Sequence, residues 1–199
     1  MSIGQEEPDE AELLARSIRQ DHHAFTVLVE RHTGPIFNLV ARMVGGASDA
    51  EDLAQETFIA AFKALPAFRA EAKFSTWLYR IAVNKCRDWL RARQAAPLQQ
   101  DEERDHQSHE RAIDPRTPEQ DLSRKQMAEH LELAIAALPP LYREAFILKH
   151  IDGLNYEDMS DILNVSRDTL KMRVYKARIR LYRDLVGPQR RRVAKSLKD

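Results

Sequence analysis

The stretch Asn155-Tyr-Glu-Asp-Met-Ser-Asp-Ile-Leu-Asn-Val-Ser-Arg-Asp-Thr-Leu-Lys-Met-Arg-Val-Tyr-Lys-Ala-Arg-Ile-Arg-Leu-Tyr-Arg183 holds the most informative pattern in the chain. A short segment with Tyr156, Met159, Ile162 and Leu163 gives way to Asn164-Val165-Ser166. A longer segment follows, and its Leu170, Val174, Ala177 and Leu181 fall on one helical stripe. Asn164 suits the left-handed conformation that a tight turn between helices needs. The remaining faces of the second helix carry Arg167, Lys171, Arg173, Tyr175, Lys176, Arg178, Arg180 and Arg183. A narrow apolar seam with a broad cationic face is the design of a recognition helix in a helix-turn-helix. Residues from Ser166 to Lys171 are placed to reach base edges, and the cations beyond them to neutralise phosphates. A solvated basic helix would carry similar cations. Twelve Lys and Arg against two acidic residues over 167–198, directly after a helix and a three-residue turn, favour DNA.

Working outward from this motif, helical periodicity is predicted over roughly 118–137, 140–151, 156–163 and 167–185, separated by Pro139-Pro140, Asp152-Gly153 and the Asn164 turn. Gly187-Pro188 is expected to end the last helix, leaving 187–199 as a basic tail. Thr117-Pro118-Glu119-Gln120 reads as a helix start, with Thr at the cap and Pro at the first position. Between 94 and 117 the pattern is lost to Gln, Asp, Glu, Pro and His, which predicts a flexible linker. Residues 1–93 form a second helical unit. Asp9 with Glu12, and Ser48 with Glu51, have the spacing of capping pairs. Gly34-Pro35 is expected to interrupt the helix that carries Phe25, Leu28, Ile36, Leu39 and Met43. Leu53, Ala54, Thr57, Phe58 and Ala61 share a face of the next helix, and a long helix runs from about Ser75 to Arg93. The fold expected is all-α: two small helical domains, 1–93 and 118–186, on a flexible linker.

Composition narrows the class. No apolar run is long enough to cross a bilayer, and Met1–Glu12 is acidic where a signal peptide would be basic, so a cytoplasmic protein without membrane insertion is expected. The lone Cys86 cannot form an internal disulfide, and its place beside Ala82 and Leu90 predicts a buried small hydrophobe. The net charge of zero hides blocks of −7 (1–62), +6 (63–93), −3 (94–118), −5 (119–166) and +10 (167–198). Two basic blocks, one closing each half, suggest two contacts with a polyanion. His106 and His109 have metal-compatible spacing but no thiol or fixed geometry nearby, so no metal site is expected. With no phosphate loop, nucleophile elbow or zinc-hydrolase motif, neither enzymatic chemistry nor a cofactor is expected.

The first basic block interleaves rings and cations: Phe68, Arg69, Lys73 and Phe74 lead into Trp77, Tyr79, Arg80, Lys85, Arg87, Trp89, Arg91 and Arg93. Such a surface suits single-stranded or melted nucleic acid, because every base has a face that can stack. Trp89 reads better as core. Here the run Phe74-Ser-Thr-Trp-Leu-Tyr-Arg-Ile-Ala-Val-Asn84 resembles the promoter-melting region of extracytoplasmic function (ECF) sigma factors. Asp49-Ala-Glu-Asp-Leu-Ala-Gln-Glu-Thr-Phe58 is similar to that family's polymerase-binding helix. Leu138-Pro-Pro-Leu-Tyr-Arg-Glu-Ala-Phe146 and Asp152-Gly-Leu-Asn-Tyr-Glu-Asp158 are similar to the start of its C-terminal domain.

The resemblance implies that Asp52, Gln55, Glu56 and Phe58 dock on the clamp helices of core RNA polymerase, with the flap as a second polymerase contact. It implies that Phe68, Arg69, Lys73, Trp77, Arg80 and Asn84 recognise and open the −10 element of promoter DNA. For the −35 element it implies Lys149, Ser166, Arg167, Thr169, Lys171, Met172, Arg173, Tyr175 and Lys176. It also implies an anti-sigma factor as partner and a free chain that is monomeric. The chain departs from the usual family pattern at Asp168, where glycine is common, and at Met172, where Ser or Thr is common. A carboxylate near the helix N-terminus suits the dipole but not a phosphate, so the −35 sequence read here is expected to differ. Two other readings use the same motif: a stand-alone regulator with a sensor domain, and an interaction protein that mimics a sigma domain. A regulator would have no need of Trp77 or Asn84, and a mimic no need of the +10 block.

Overall fold

The computed structural model describes residues 9–69, 72–95 and 118–196. The described residues are helical and contain no strand. The first unit comprises α1 (Glu10–Ile18), α2 (His22–Val44), α3 (Ala47–Ala64) and α4 (Phe74–Ala95), with a single 3₁₀ turn at Leu65–Ala67. The second comprises α5 (Pro118–Ala136), α6 (Pro140–Phe146), α7 (Tyr156–Leu163) and α8 (Arg167–Ser196). A wide π turn, Ile147–Ile151, extends α6. Of the expected linker, Gln94 and Ala95 belong to α4; residues 96–117, with Thr117, His106 and His109, lie outside the described residues.

Several helix ends differ from their sequence signals. Asp9 stands before α1 without a side-chain cap bond. Gly46, not Ser48, precedes α3, so Ser48 lies inside the helix. Asp21 caps α2 by accepting from the Ala24 amide at 3.1 Å, and that bond, with the Arg16 guanidinium, holds its carboxyl below the usual range. Pro35 does not interrupt α2. An interior proline costs about 3 kcal/mol, but Leu28, Ile36, Leu39 and Val40 are fully buried on both sides of it, and their packing holds the two segments in line. Nor does Gly187-Pro188 end α8, which runs on to Ser196. Proline removes one backbone donor there, and the Gln, Arg and Ala that follow favour helix.

Each unit has its own interior. Leu13, Leu28, Leu39, Leu65 and Leu78 are buried in the first, and Ile147, Leu148, Met159, Ile162 and Leu170 in the second. Trp89 packs against the core as expected of it. Cys86 is fully buried, and burial pushes its thiol up to about 12. In the second unit, the Asn155 side chain accepts from the Glu157 and Asp158 amides and starts α7. Asn164, at φ 52°, closes it in the left-handed conformation.

The two units also pack on each other, with α4 against α7 and α2 against α5 and α6. Arg143 of α6 donates to the Met43 carbonyl at the end of α2 (2.6 Å), and to the Ala136 and Leu138 carbonyls that close α5. Arg42 of α2 reaches Glu132 of α5 at 3.4 Å. Asp152 lies within the field of Tyr79 and Arg42 from the first unit. Burial pushes the Asp152 carboxyl up to about 6, opposed by Arg42, and its Oδ2 finds no hydrogen-bond partner. Burial first, and the Asp152 charge second, raise the Tyr79 phenol.

Two stability outcomes are expected. Asn164→Ala lowers the unfolding free energy by about 1 kcal/mol because alanine keeps the Cβ that the left-handed backbone crowds but loses the short polar amide that offsets it, whereas Asn164→Gly removes both and leaves it nearly unchanged; urea denaturation distinguishes them. Between about pH 4 and pH 6 the folded chain keeps a proton on Asp152 that the unfolded chain has released, so this group subtracts stability as pH rises through that window. Asp152→Asn should therefore raise the melting temperature more at pH 7.5 than at pH 4.

Candidate nucleic-acid interface

Three exposed faces carry the residues singled out by the sequence. On α3, Asp52, Gln55 and Glu56 are exposed along one side. Ile59, 49% exposed, continues the same face at helical spacing and extends it with an apolar contact. Phe58 is half-buried and packs against the core, so it flanks this face rather than standing on it. The Lys85 ammonium donates to Glu56 Oε2 at 2.9 Å, which ties the acidic side of α3 to α4.

Lys73, directly before α4, and Trp77, Arg80 and Asn84 on it follow one another at three- and four-residue intervals along a single face. Lys73, just before the helix, receives the Trp77 amide on its carbonyl. The rings are fixed from below. Phe74, 4% exposed, packs edge-on to His32 at 5.3 Å and tilts against Trp77 at 5.7 Å. Phe68 completes the cluster, 5.1 Å from Trp77. Phe68 and Trp77 are each half-buried, with Arg69 and Arg80 exposed beside them. The four residues line one wall of an open cleft of roughly 640 Å³, and Ser160, Asp161 and Asn164 line the opposite wall. Flat apolar rings bordered by guanidinium groups can stack an unpaired base and neutralise its phosphates.

On α8, Leu170, Val174, Ala177 and Leu181 form the buried seam. Ser166 sits at the cap position, its hydroxyl 2.9 Å from that of Thr169 and within 3.4 Å of the Thr169 amide. Arg167, Thr169, Lys171, Met172, Tyr175 and Lys176 are exposed, Met172 by 51% and Tyr175 by 59%. Lys171 leans on Asp168 at 3.2 Å, so the unusual carboxylate occupies one of the cations expected to face DNA. Two expected contacts are otherwise engaged. Lys149 donates to the Leu154 carbonyl at 2.9 Å and lies 4.8 Å above the Tyr156 ring. Arg173 turns inward to the Glu144 carboxylate at 3.1 Å.

Glu144 has no role that its sequence surroundings announce. It is 1% exposed, and it also accepts two hydrogen bonds, 2.9 and 2.8 Å, from Arg87 of α4. Helical spacing places Glu144 on the inner side of α6, but its partner lies 57 residues away, and no local pattern announces such a pair. Among the described residues no group of His, Cys, Asp or Glu is placed to hold a metal ion, and no helix is long and apolar enough to cross a membrane.

Comparison with known proteins identifies the family. The Sigma-70 region 2 profile matches residues 28–96, and the Sigma-70, region 4 profile matches residues 128–181. The RNA polymerase sigma-H factor of Pseudomonas aeruginosa is 35% identical over 171 residues, covering 84% of this chain and 89% of that protein. The ECF RNA polymerase sigma-E factor of Escherichia coli is 34% identical over 83% of this chain and 88% of its own length. Among solved structures, CnrH in complex with the cytosolic domain of CnrY is similar at 27% identity and a TM-score of 0.65, covering 90% of this chain and 99% of that one. The sigma factor RpoE of Bartonella quintana, in complex with the anti-sigma factor NepR, shares the fold with a TM-score of 0.60 at 24% identity, over 81% of this chain and 96% of that one. With both profiles matched in order and relatives aligned over most of its length, the chain belongs to the sigma-70 family, within its extracytoplasmic function sigma factors, which are transcription-initiation factors and not enzymes.

Proposed function

We propose that this chain binds core RNA polymerase and directs it to promoters by reading two DNA elements with two different surfaces. The observation that carries the proposal is the order of faces along the chain: an acidic face on α3, a ring-and-cation face on α4, and a cationic recognition helix in α8. Asp52, Gln55 and Glu56, extended by Ile59 and flanked by Phe58, dock on the polymerase clamp helices, and the second unit docks on the flap. Negative charge on this face suits a protein partner and repels DNA. The domains are taken as 1–93, 118–186, a linker between them and a basic tail.

Phe68, Arg69, Lys73, Trp77, Arg80 and Asn84 then act on the −10 element. Holding one base out of the duplex costs a few kcal/mol, and stacking on an aromatic ring returns about 1–3 kcal/mol. Arg69, Lys73 and Arg80 hold the flanking phosphates, and the Asn84 amide reads a base edge. In the −35 element, Ser166, Arg167, Thr169 and Met172 approach bases, while Lys171, Tyr175 and Lys176 contact the backbone. Lys149 and Arg173 support this surface by bracing the turn before α7 and the inner side of α8. An anti-sigma factor is a further partner in this reading; one solved structure of the same fold is that of a sigma factor in complex with an anti-sigma factor. Its place of action is the cytoplasm, where it is a monomer until it meets polymerase.

Run-off transcription with core polymerase on genomic fragments should give promoter-specific products only when this chain is added. A well-folded sample that yields none contradicts the proposal. In promoter binding by the holoenzyme, Lys176→Ala should reduce the log–log salt slope by about one; an unchanged slope would mean that Lys176 does not touch phosphate.

A further inference from the structure

The face assigned to melted DNA is partly walled in by the second unit. Across the cleft from Phe68, Arg69, Trp77 and Arg80 stands α7, whose Asp161 lines the same cleft. Its neighbour Asp158 lies 3.7 Å from the Lys73 ammonium. An acidic helix thus occupies ground where phosphates would lie. What holds it there is the second unit as a whole, fastened to the first through Glu144. Both carboxylate oxygens of Glu144 accept from Arg87 of α4, and one of them also meets Arg173 of α8. A carboxylate this deeply buried requires such partners. Arg143 to the Met43 carbonyl and Arg42 to Glu132 add to the same join.

We propose that the Arg87–Glu144 pair is a latch: it keeps the free chain closed with α7 over the DNA-reading face of α4, so that the second unit inhibits the first until polymerase draws them apart. Opening exposes Glu144 to water and leaves Arg173 as its partner within the second unit, so the released carboxylate is never stranded. The chain between α4 and α5, residues 96–117, could reach about 70 Å if extended, enough for the units to separate. The closed form lowers affinity for single-stranded DNA by the fraction of chains that are open; if that fraction is about 10%, complete opening raises affinity about tenfold. The occlusion rests on the nucleic-acid reading of α4 given above, whereas the latch does not.

The test compares the wild-type chain with Arg87→Gln and Arg87→Glu, using Arg91→Glu, four residues along the same helix, as the control. Small-angle scattering reads the separation of the units, and fluorescence anisotropy reads binding of a single-stranded oligonucleotide. Circular dichroism checks that each variant is folded. The expected result is a larger radius of gyration and several-fold tighter oligonucleotide binding for both Arg87 variants, despite the lost positive charge, with no expansion for Arg91→Glu. An unchanged radius in both Arg87 variants overturns the latch. Expansion without tighter binding overturns the occlusion. Failure of wild-type chain to direct transcription with core polymerase would overturn the sigma reading separately and leave the scattering result standing.

Discussion

Glu144 holds a negative charge where water hardly reaches it, and two guanidinium groups, one from each unit, make that possible. Removing one partner from a buried ion pair costs on the order of 3–5 kcal/mol when the other charge stays buried. Here the constraint acts differently on the two partners. Arg173 and Glu144 lie in the same unit and bind α8 to α6, so that contact persists whatever the units do. Arg87 lies in the other unit, and its contact exists only while they are together. One carboxylate therefore braces the recognition helix and fastens the two halves of the chain.

The same division of labour appears in the charge pattern. The −7 block includes α3, whose exposed side is suited to a protein, and the +10 block includes α8, which is suited to DNA. Between them, α4 and α7 face each other with opposite charge, cations and rings on one and carboxylates on the other. A chain of zero net charge can thus satisfy part of a cationic surface internally. Transcription from a promoter then becomes a competition: polymerase and DNA must offer contacts that outweigh those the two units make with each other.

Much of the fold was legible because helices bury periodic stripes, and Leu170, Val174, Ala177 and Leu181 declare theirs in sequence order. The misread ends had separate causes. Pro35 is a local breaker, but Leu28, Ile36, Leu39 and Val40 are buried on both sides of it, and tertiary packing outweighs the local penalty. The cap expected of Ser48 gave way to Gly46 for a local reason, the left-handed turn at Gly45 directly before it. The surface residues were legible as a set, since Lys73, Trp77, Arg80 and Asn84 share one face. Their individual engagement was not. Whether an arginine such as Arg173 points to solvent or to a buried carboxylate depends on a residue 29 positions away, and the closure through Arg87 depends on one still more distant.

The central claim is that two nucleic-acid-reading units share a closed free state and must part to work. A distance between them tests it most directly. Spin labels at Lys63 and Asp184, both exposed and on different units, can be measured by pulsed dipolar spectroscopy in a Cys86→Ala background. For the free chain a single narrow distance is expected, replaced by a clearly longer one in the complex with core polymerase and promoter DNA. The same distance in both states, or a broad spread in the free chain, would contradict it.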